Sequence, residues 1–169
     1  MFLAQVIVDA IVRKDGSNEI VGMGTVTLPD LENTVEEVKG LGIGTHEHVI
    51  QNLFNSMTLQ LKFTGISKNI NLGAGKILNL VIQASTGGIE TDTHEMEEKK
   101  IEISCKGHVK KRTGGELGRG SKNEPEVEIA LSYYKLEIDG EVSAEIDVFN
   151  RIATVDGEDV YQKTKSILS

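Results

Sequence analysis

The strongest constraint on the fold is a strict alternation of apolar and polar residues in several segments. In residues 57–63 (MTLQLKF) every second residue is apolar, and residues 101–110 (IEISCKGHVK) repeat the pattern. Residues 126–133 (EVEIALSY) alternate in the same way. Successive side chains of a β-strand point to opposite faces, so this period predicts strands with one buried and one exposed face. We therefore expect a chain built mainly from β-strands.

Two further strands are predicted near the start of the chain. Residues 5–13 and 20–28 are rich in β-branched side chains, and the Asp15-Gly16 pair between them predicts a hairpin turn. The second run is expected to end at Pro29, because proline cannot donate a hydrogen bond to a neighbouring strand.

Later segments predict the centre and the corners of the sheet. Residues 76–85 (KILNLVIQAS) are apolar on both faces, which predicts a central strand covered on both sides. After Tyr133 the apolar phase slips by one residue, which predicts a bulge or a strand that passes from one sheet to another. The Asp-Gly pairs at 139–140 and 156–157 predict tight turns between strands.

Helical signals are few. Residues 65–75 could hold one helical turn, and in residues 158–168 the positions of Val160, Lys163 and Ile167, at spacings of three and four, predict a short helix. The sequence thus predicts one domain, residues 1–169, that is mainly β: a β-sandwich or barrel of about eight strands with one or two short helices.

Composition excludes several classes of function. The chain has a net charge of −8 and a pI near 5.0, which disfavours a general grip on nucleic acid, since phosphate binding needs clustered cations. The single cysteine allows no intramolecular disulfide. The sequence contains no run of about 18 apolar residues, so it predicts no membrane-spanning helix. With no tryptophan and 4% aromatic residues, platforms for stacking bases or sugars are not expected.

Residues 30–51 are predicted to form a long loop. Gly40, Gly42 and Gly44 occupy alternate positions, which suits either a mobile loop or close contact with another backbone. Because long connections within a compact domain are usually functional, we favour a loop that becomes ordered on a partner over a passive one.

Charge is segregated along the chain. Residues 106–122 contain six basic residues and one acidic residue, and residues 124–147 contain eight acidic residues and one basic residue. A basic hairpin tip is predicted at about 110–123. The two regions are either solvated surfaces or, in an assembly, complementary patches that fix how copies meet.

No catalytic, cofactor-binding or metal-binding residues are predicted. His46-Glu47-His48 after a glycine is similar to the opening of the cupin metal motif, and on a strand both imidazoles would point the same way. However, the motif's later glutamate and its second half have no counterpart. Cys105 shares the inward face of its predicted strand with Ile101 and Ile103, which predicts a buried, inert thiol. The GAGKI segment at 73–77 departs from the phosphate-binding loop at Ile77.

Four segments in order resemble one protein family. They are VTLPDL (26–31), GLGIG (40–44), MTLQLKFTGIS (57–67) and the carboxy-terminal SYYKLEIDGEVSAEIDVFNRIATVDGEDV (132–160). Together they are similar to the major tail tube protein of contractile-tailed phages and phage-tail-like bacteriocins (tailocins). The resemblance spans about residues 18–165 and is weak before residue 20 and over 69–98.

The resemblance implies a structural, non-enzymatic protein with the tail-tube fold. In such proteins hexameric rings stack into a tube, and inner sheets merge into one barrel around a conduit for DNA passage or membrane puncture. It implies tail sheath, baseplate, tape-measure and tail terminator proteins as partners, with transient, non-specific passage of DNA in a phage. It further implies no cofactor, no membrane anchoring, and a location in a virion tail or tailocin particle assembled in the cytoplasm of the bacterial host.

Three rival interpretations remain from the sequence. A ring protein of type VI secretion shares the architecture, although the phage-like carboxy-terminal motif argues against it. A small metal-dependent cupin-like enzyme would use His46 and His48. A monomeric β-sandwich binding module would stay a single species at all concentrations.

The resemblance and the charge pattern nominate two groups of residues. The candidates for contacts between rings or subunits are Pro29, Asp30, Leu31, Gly40, Gly42, Gly44, Lys110, Lys111, Arg112, Asp139, Asp147 and Asn150. The candidates for the channel surface are Thr58, Gln60, Lys62, Glu102, Ser104 and Lys106.

Overall fold

Strands dominate the chain, as the alternation predicts. The computed structural model describes residues 1–14 and 18–169, apart from the side chains of Asn18 and Asn69. The predicted turn at Asp15-Gly16 lies outside the described residues. The strands are β1 (Phe2–Lys14), β2 (Asn18–Glu19), β3 (Met23–Thr27), β4 (Asn33–Gly40), β5 (Gly44–Phe54), β6 (Met57–Phe63), β7 (Leu78–Glu90), β8 (Met96–Thr113), β9 (Glu126–Ile138), β10 (Glu141–Asp147), β11 (Ile152–Val155) and β12 (Glu158–Asp159).

Two short helical elements accompany the strands. They are a 3₁₀ turn, Lys68–Ile70, and a helix α1, Gln162–Leu168, and both fall where the sequence predicts them. The mainly β fold is confirmed. The described chain has twelve strands instead of about eight, because the expected loop at 30–51 forms two of them and because β2 and β12 have only two residues each.

Ten strands form one antiparallel sheet. Its order is β12-β11-β10-β9-β8-β7-β1-β2, and β6 pairs with both β9 and β3. Residues of β1 and β3 line the same cavity of 410 Å³. The sheet therefore rolls into a barrel with an open seam between β1 and β3.

The core fills the inside of this rolled sheet. Burial alternates without exception along β6, as its sequence predicts. The buried apolar side chains of the neighbouring strands pack against it: Val12, Leu78, Leu80, Ile82, Ile103, Cys105, Val127, Ile129, Leu131, Tyr134 and Ile146. Burial of each large aliphatic or aromatic side chain stabilises the fold by about 1.5–3 kcal/mol.

Strand β9 connects the two halves of the sheet. Up to Leu131 it pairs with β6, and from Tyr133 onwards it pairs with β10, while β8 runs along its other side. Ser132 is the extra residue, because Lys106 pairs with Tyr133 and Gly107 with Leu131. The predicted phase slip is therefore both a bulge and a change of partner strand.

The segment predicted as a loop at 30–51 is a β-hairpin. Strands β4 and β5 pair with each other and form a separate two-stranded sheet. Asn33–Gly40 and Gly44–Phe54 supply enough β-branched residues for strands, and Gly42 and Gly44 have the positive φ values (82° and 66°) that the tip requires. The alternating glycines mark the tip of the hairpin and not a loop throughout.

Strand β7 is central in the sheet, but only one of its faces is fully covered. Leu78, Leu80 and Ile82 are buried, whereas Asn79 is exposed and Gln83 is half-buried. The prediction that both faces are covered was wrong. The face that carries Asn79, Val81 and Gln83 is exposed or half-buried, because no further strand or helix packs over it among the described residues.

Both Asp-Gly turns have the predicted form. Asp139-Gly140 joins β9 to β10, and Asp156-Gly157 joins β11 to β12. All four residues have positive φ (51°, 82°, 53° and 82°), the conformation of a type I′ hairpin turn.

The bulge depends on a close backbone approach at Gly107. A Cβ atom at this position would collide with the carbonyl oxygen of Ala130 in β9. We expect Gly107→Ala to destabilise the protein by about 1–3 kcal/mol, because the two strands would have to separate. Urea unfolding followed by circular dichroism measures the loss. Gly65→Ala is the control, since no atom lies within 4 Å of the added methyl group; equal stabilities of the two variants would contradict the interpretation.

Candidate functional site: assembly surfaces

One edge of the large sheet is open. The outer edge of β1 has no partner strand from Phe2 to Ile11 within the described chain, because β2 reaches only Arg13 and Lys14. Four apolar side chains of this strand are exposed: Leu3, Val6, Ile7 and Val8. An exposed edge with apolar side chains is a template for pairing with another chain.

The seam of the barrel lies next to this edge. Its cavity of 410 Å³ is lined by Ile7 and Ala10 of β1 and by Met23, Val26 and Ile103 among others. Both the seam and the edge therefore present apolar surface on one side of the subunit, which a single copy leaves uncovered.

The β4–β5 hairpin presents a second apolar surface. Leu41 and Ile43 are exposed at its tip, between Gly40 and Gly44, which pair with each other. At its base, the Asn52 side chain donates a hydrogen bond to Thr164 of α1 at 2.8 Å. Gly40, Gly42 and Gly44 thus form the tip of the hairpin together with Leu41 and Ile43.

The two histidines of this hairpin do not belong to a larger ligand set. His46 and His48 lie two residues apart on β5, opposite Val38 and Glu36. In the part of the chain that the structure describes, no three histidine, cysteine or carboxylate side chains are grouped so as to hold a metal ion.

The nominated residues before the hairpin are largely structural. Pro29 is buried and Leu31 packs against the core, while Asp30 is exposed. Only Asp30 of these three is fully available at the surface of the isolated subunit.

The nominated cations lie at the end of β8 and contact their own subunit. Lys110 Nζ donates to Thr58 Oγ1 at 2.7 Å, and Arg112 donates to the carbonyl oxygen of Gly73. Lys111 pairs with Glu128 of β9 in the strand register. The basic and acidic segments are thus partly adjacent within one sheet, which the linear sequence does not reveal.

The nominated acidic residues shape turns. Asp147 accepts hydrogen bonds from the backbone amides of Phe149 and Asn150 at 3.1 and 3.2 Å, and from the Asn150 side chain at 2.7 Å. Asp139 lies 3.4 Å from Lys99 Nζ. Asp147 and Asn150 therefore fold their own turn, at the other end of β10 from Asp139.

The two groups of channel candidates lie on different parts of the sheet. Thr58, Gln60 and Lys62 are on β6, and Glu102, Ser104 and Lys106 are on β8 before the bulge. Each strand carries its group on the face away from the core. The bulge at Ser132 separates the groups, since β6 pairs with β9 only before it and Lys106 pairs with β9 after it.

The lysines of these surfaces are surrounded by carboxylates or aromatic rings. Lys62 Nζ lies 2.9 Å from Glu124 and 3.8 Å from Glu126. Hydrogen bonding to Lys62 lowers the pKa of Glu124, and the same contact raises the pKa of Lys62. Lys106 lies 5.4 Å from the centre of the Tyr133 ring. The group of Lys62, Glu124 and Glu126 keeps a net negative charge.

The same arrangement recurs on the large sheet. Lys135 Nζ lies 2.9 Å from Glu137 and 3.9 Å from Glu145, and the Tyr133 hydroxyl donates to Glu145 at 3.3 Å. Hydrogen bonding to Glu137 raises the pKa of Lys135. On the outward face, Lys62 and Lys135 therefore each form ion pairs with two carboxylates, which leaves an excess of negative charge.

The only cysteine is inert, as predicted. Cys105 is buried, and burial raises the pKa of its thiol to about 12. A group with this pKa stays protonated at neutral pH and is a poor nucleophile.

Sequence reasoning missed the open edge of β1. The apolar run of β1 reads equally well as a buried strand, and only the position of β1 in the sheet exposes Val6 and Val8. The nearest signal in the sequence is that apolar residues occupy both faces of the strand from Leu3 to Val8.

None of the described helices has the length and apolar character needed to cross a bilayer.

Comparisons with known proteins give the family. The model of the family "Phage tail tube protein FII" matches residues 4–168. The tail tube protein of Escherichia phage P2 is 26% identical over 138 residues, which are 80% of each chain. Two chains from the PVC extracellular contractile injection system share the fold: its sheath/tube terminator (TM-score 0.54, 12% identity, 80% of this chain and 97% of the other) and its sheath–tube complex (TM-score 0.51, 13% identity, 76% and 88%).

The mainly β fold and the family match both indicate a tail tube protein. Because the family match covers almost the whole sequence, this chain belongs to the phage tail tube protein FII family and is a structural tail tube protein.

Proposed function

We propose that copies of this chain form hexameric rings that stack into the inner tube of a contractile phage tail or tailocin. The open edge of β1, with Val6 and Val8 exposed along it, carries the proposal. A neighbouring subunit that pairs with this edge satisfies its backbone hydrogen bonds and covers its apolar side chains. Head-to-tail pairing that closes gives a ring without open edges.

The β4–β5 hairpin is proposed to contact the neighbouring ring. Leu41 and Ile43 at its tip are exposed, and its strands form a sheet separate from the core. Apolar side chains at the end of an arm gain stability when another subunit covers them. Gly40, Gly42 and Gly44 allow the backbone of a partner to approach the tip closely.

The outward charged face is proposed to line the channel. Glu102, Ser104 and Lys106 lie on the long sheet, where Lys135 is held between two carboxylates. Cations that are already paired give a polyanion few sites to bind, and excess carboxylates repel it. Such a surface allows DNA to slide in a phage without being retained.

The assembled tube is proposed to act without catalysis and without cofactors or membrane anchoring. The sheath–tube complex of the contractile injection system supports tail sheath as a partner of this chain. Baseplate, tape-measure and tail terminator proteins are the further proposed partners. We place the chain in a virion tail or tailocin particle that is assembled in the cytoplasm of the bacterial host.

The edge of β1 provides the test of ring formation. We expect the double variant Val6→Lys and Val8→Lys to remain folded, because both side chains are exposed (63% and 52%), and to lose rings, because two charges would be buried at the joint. Native mass spectrometry and light scattering measure the oligomeric state. Val21→Lys, at a similarly exposed valine, is the control. If the double variant formed rings as the wild type does, the edge of β1 would not be the interface between subunits.

The hairpin provides a separate test of stacking. Residues 36–48 can be replaced by Asn-Gly, because Val35 and Val49 pair across the hairpin and a two-residue turn can join them. We expect rings to form but long tubes to be lost, since the tip of the arm is removed. Negative-stain electron microscopy measures tube length, and circular dichroism checks the fold. Tubes of normal length would mean that the hairpin is dispensable.

A further inference from the structure

One end of the long strands is strongly acidic. It consists of residues 90–98, 139–141 and 156–159, and we call it the acidic end. The antiparallel order brings these segments together, because β7, β9 and β11 end there while β8, β10 and β12 begin there. The segments carry five, two and three carboxylates, and they contain no lysine or arginine.

The opposite end is basic. It consists of residues 64–77, which contain two lysines and no acidic residue, and residues 110–122, which contain five basic residues and one acidic residue. We call it the basic end. The backbone amide of Ile66 donates to the Asn123 side chain at 3.2 Å, so the loops of this end are in contact. Carboxylates of β9 adjoin this end, since Glu128 pairs in register with Lys111, but residues 64–77 and 110–128 together still carry seven basic and four acidic residues. Each subunit therefore has an electrical polarity along its strands.

Most of these charges form no ion pair within the described part of the subunit, although Lys110 and Arg112 donate hydrogen bonds to Thr58 and to the Gly73 carbonyl oxygen. At the acidic end, the amino terminus lies 3.0 Å from Glu90 and 3.4 Å from Asp92, and Lys99 lies 3.4 Å from Asp139. Among the described residues, the other carboxylates of the acidic end and the cations of the basic end form no ion pair within 4.0 Å. Like charges repel within each end, and the ends attract each other across copies.

The acidic end contains a hollow that combines charge with apolar surface. Its volume is 620 Å³. Its lining includes three apolar side chains (Phe2, Ile138 and Val142), three acidic side chains (Asp139, Glu141 and Asp156) and one cation, Lys99, whose Nζ lies 3.4 Å from Asp139. Two carboxylates of the hollow are left without an ion pair among the described residues. Ile138 and Val142 are exposed there, so the isolated subunit leaves apolar surface uncovered. The chemistry of this hollow fits an apolar side chain flanked by cations.

The basic end carries a loop, residues 114–123, with an exposed apolar side chain, two cations (Arg119 and Lys122) and one carboxylate, Glu116. Leu117 is 87% exposed, in the middle of the glycine-rich loop between β8 and β9. The Asn123 side chain holds the loop in shape by donating to the carbonyl oxygens of Gly114 and Glu116 at 3.0 and 2.9 Å. A loop that is already folded loses little conformational freedom when it docks.

We propose that the loop at 114–123 of one subunit docks into the acidic hollow of a second copy in the next ring. Leu117 packs against the apolar lining of the hollow, and Arg119 and Lys122 meet its carboxylates. This contact rests on the proposed stacking of rings, and it fixes the direction in which rings stack. It also gives partners in the next ring to Arg119, Lys122, Glu141 and Asp156, which form no ion pair within the described part of the subunit.

The hairpin tip is the rival occupant of the hollow. Leu41 and Ile43 are also apolar and exposed. However, residues 36–47 of the hairpin carry three carboxylates and one lysine. A negatively charged arm is repelled by an acidic hollow, so charge favours the loop at 114–123 over the hairpin.

Disulfide trapping distinguishes the two occupants. In a Cys105→Ala background, Leu117→Cys and Val142→Cys are combined in one chain, and assembled protein is oxidised and run on a denaturing gel without reductant. We expect a ladder of linked subunits, because each copy would join the copies above and below it. The matched control combines Leu41→Cys with Val142→Cys and is expected to give no ladder. A ladder from the control alone, or tubes without a ladder from Leu117→Cys, would overturn the proposal.

Charge reversal provides a second, independent measurement. Arg119→Glu with Lys122→Glu should leave rings intact and abolish long tubes, and adding Glu141→Lys with Asp156→Asn to the same chain should restore them. Electron microscopy scores rings and tubes separately. Tubes unaffected by the reversal would overturn the loop contact and leave the proposed tube standing. A wild-type protein that forms neither rings nor tubes would overturn both.

Discussion

The hydrogen-bonding capacity of strand edges governs this structure. Every backbone amide and carbonyl group in a strand needs a partner, and a rolled sheet provides one everywhere except at its ends. Here β1 has only the two-residue β2 on its outer side, and the seam between β1 and β3 stays open. A closed barrel would be complete alone, whereas this one leaves an edge and apolar surface beside it for another copy.

The bulge at Ser132 makes the two parts of the subunit possible. It lets β9 pair with β6 over its first half and with β10 over its second half, so one strand belongs to the barrel and to the extended sheet. Gly107 permits the close approach of backbones at that point. The long strands then extend beyond the core, and the turns that join them at each end are free to carry charge.

Charge is arranged on two levels. On the outward face of the sheet, lysines such as Lys62 and Lys135 are held by carboxylates of the same subunit, which leaves a weakly negative surface. At the ends of the strands, the excess of carboxylates and the excess of cations lie at opposite ends of β8, although Lys111 pairs in register with Glu128 and Lys99 lies 3.4 Å from Asp139. The first arrangement limits binding of a polyanion, and the second favours association of opposite ends.

The sequence by itself determined most of the strands of the large sheet, the positions of the Asp-Gly turns and the family. The alternation along β6, the phase slip after Tyr133 and both Asp-Gly corners depend on local backbone geometry, so they could be predicted from neighbouring residues. The hairpin at β4–β5 was predicted as a loop because Gly40, Gly42 and Gly44 alternate, whereas in the structure these glycines occupy only its tip. Only the tertiary structure decided which strand is an edge and which charges meet, because both depend on pairing between residues far apart in the chain. Thus Val6 is one residue of a β-branched run in the sequence, and only the fold places it on an open edge.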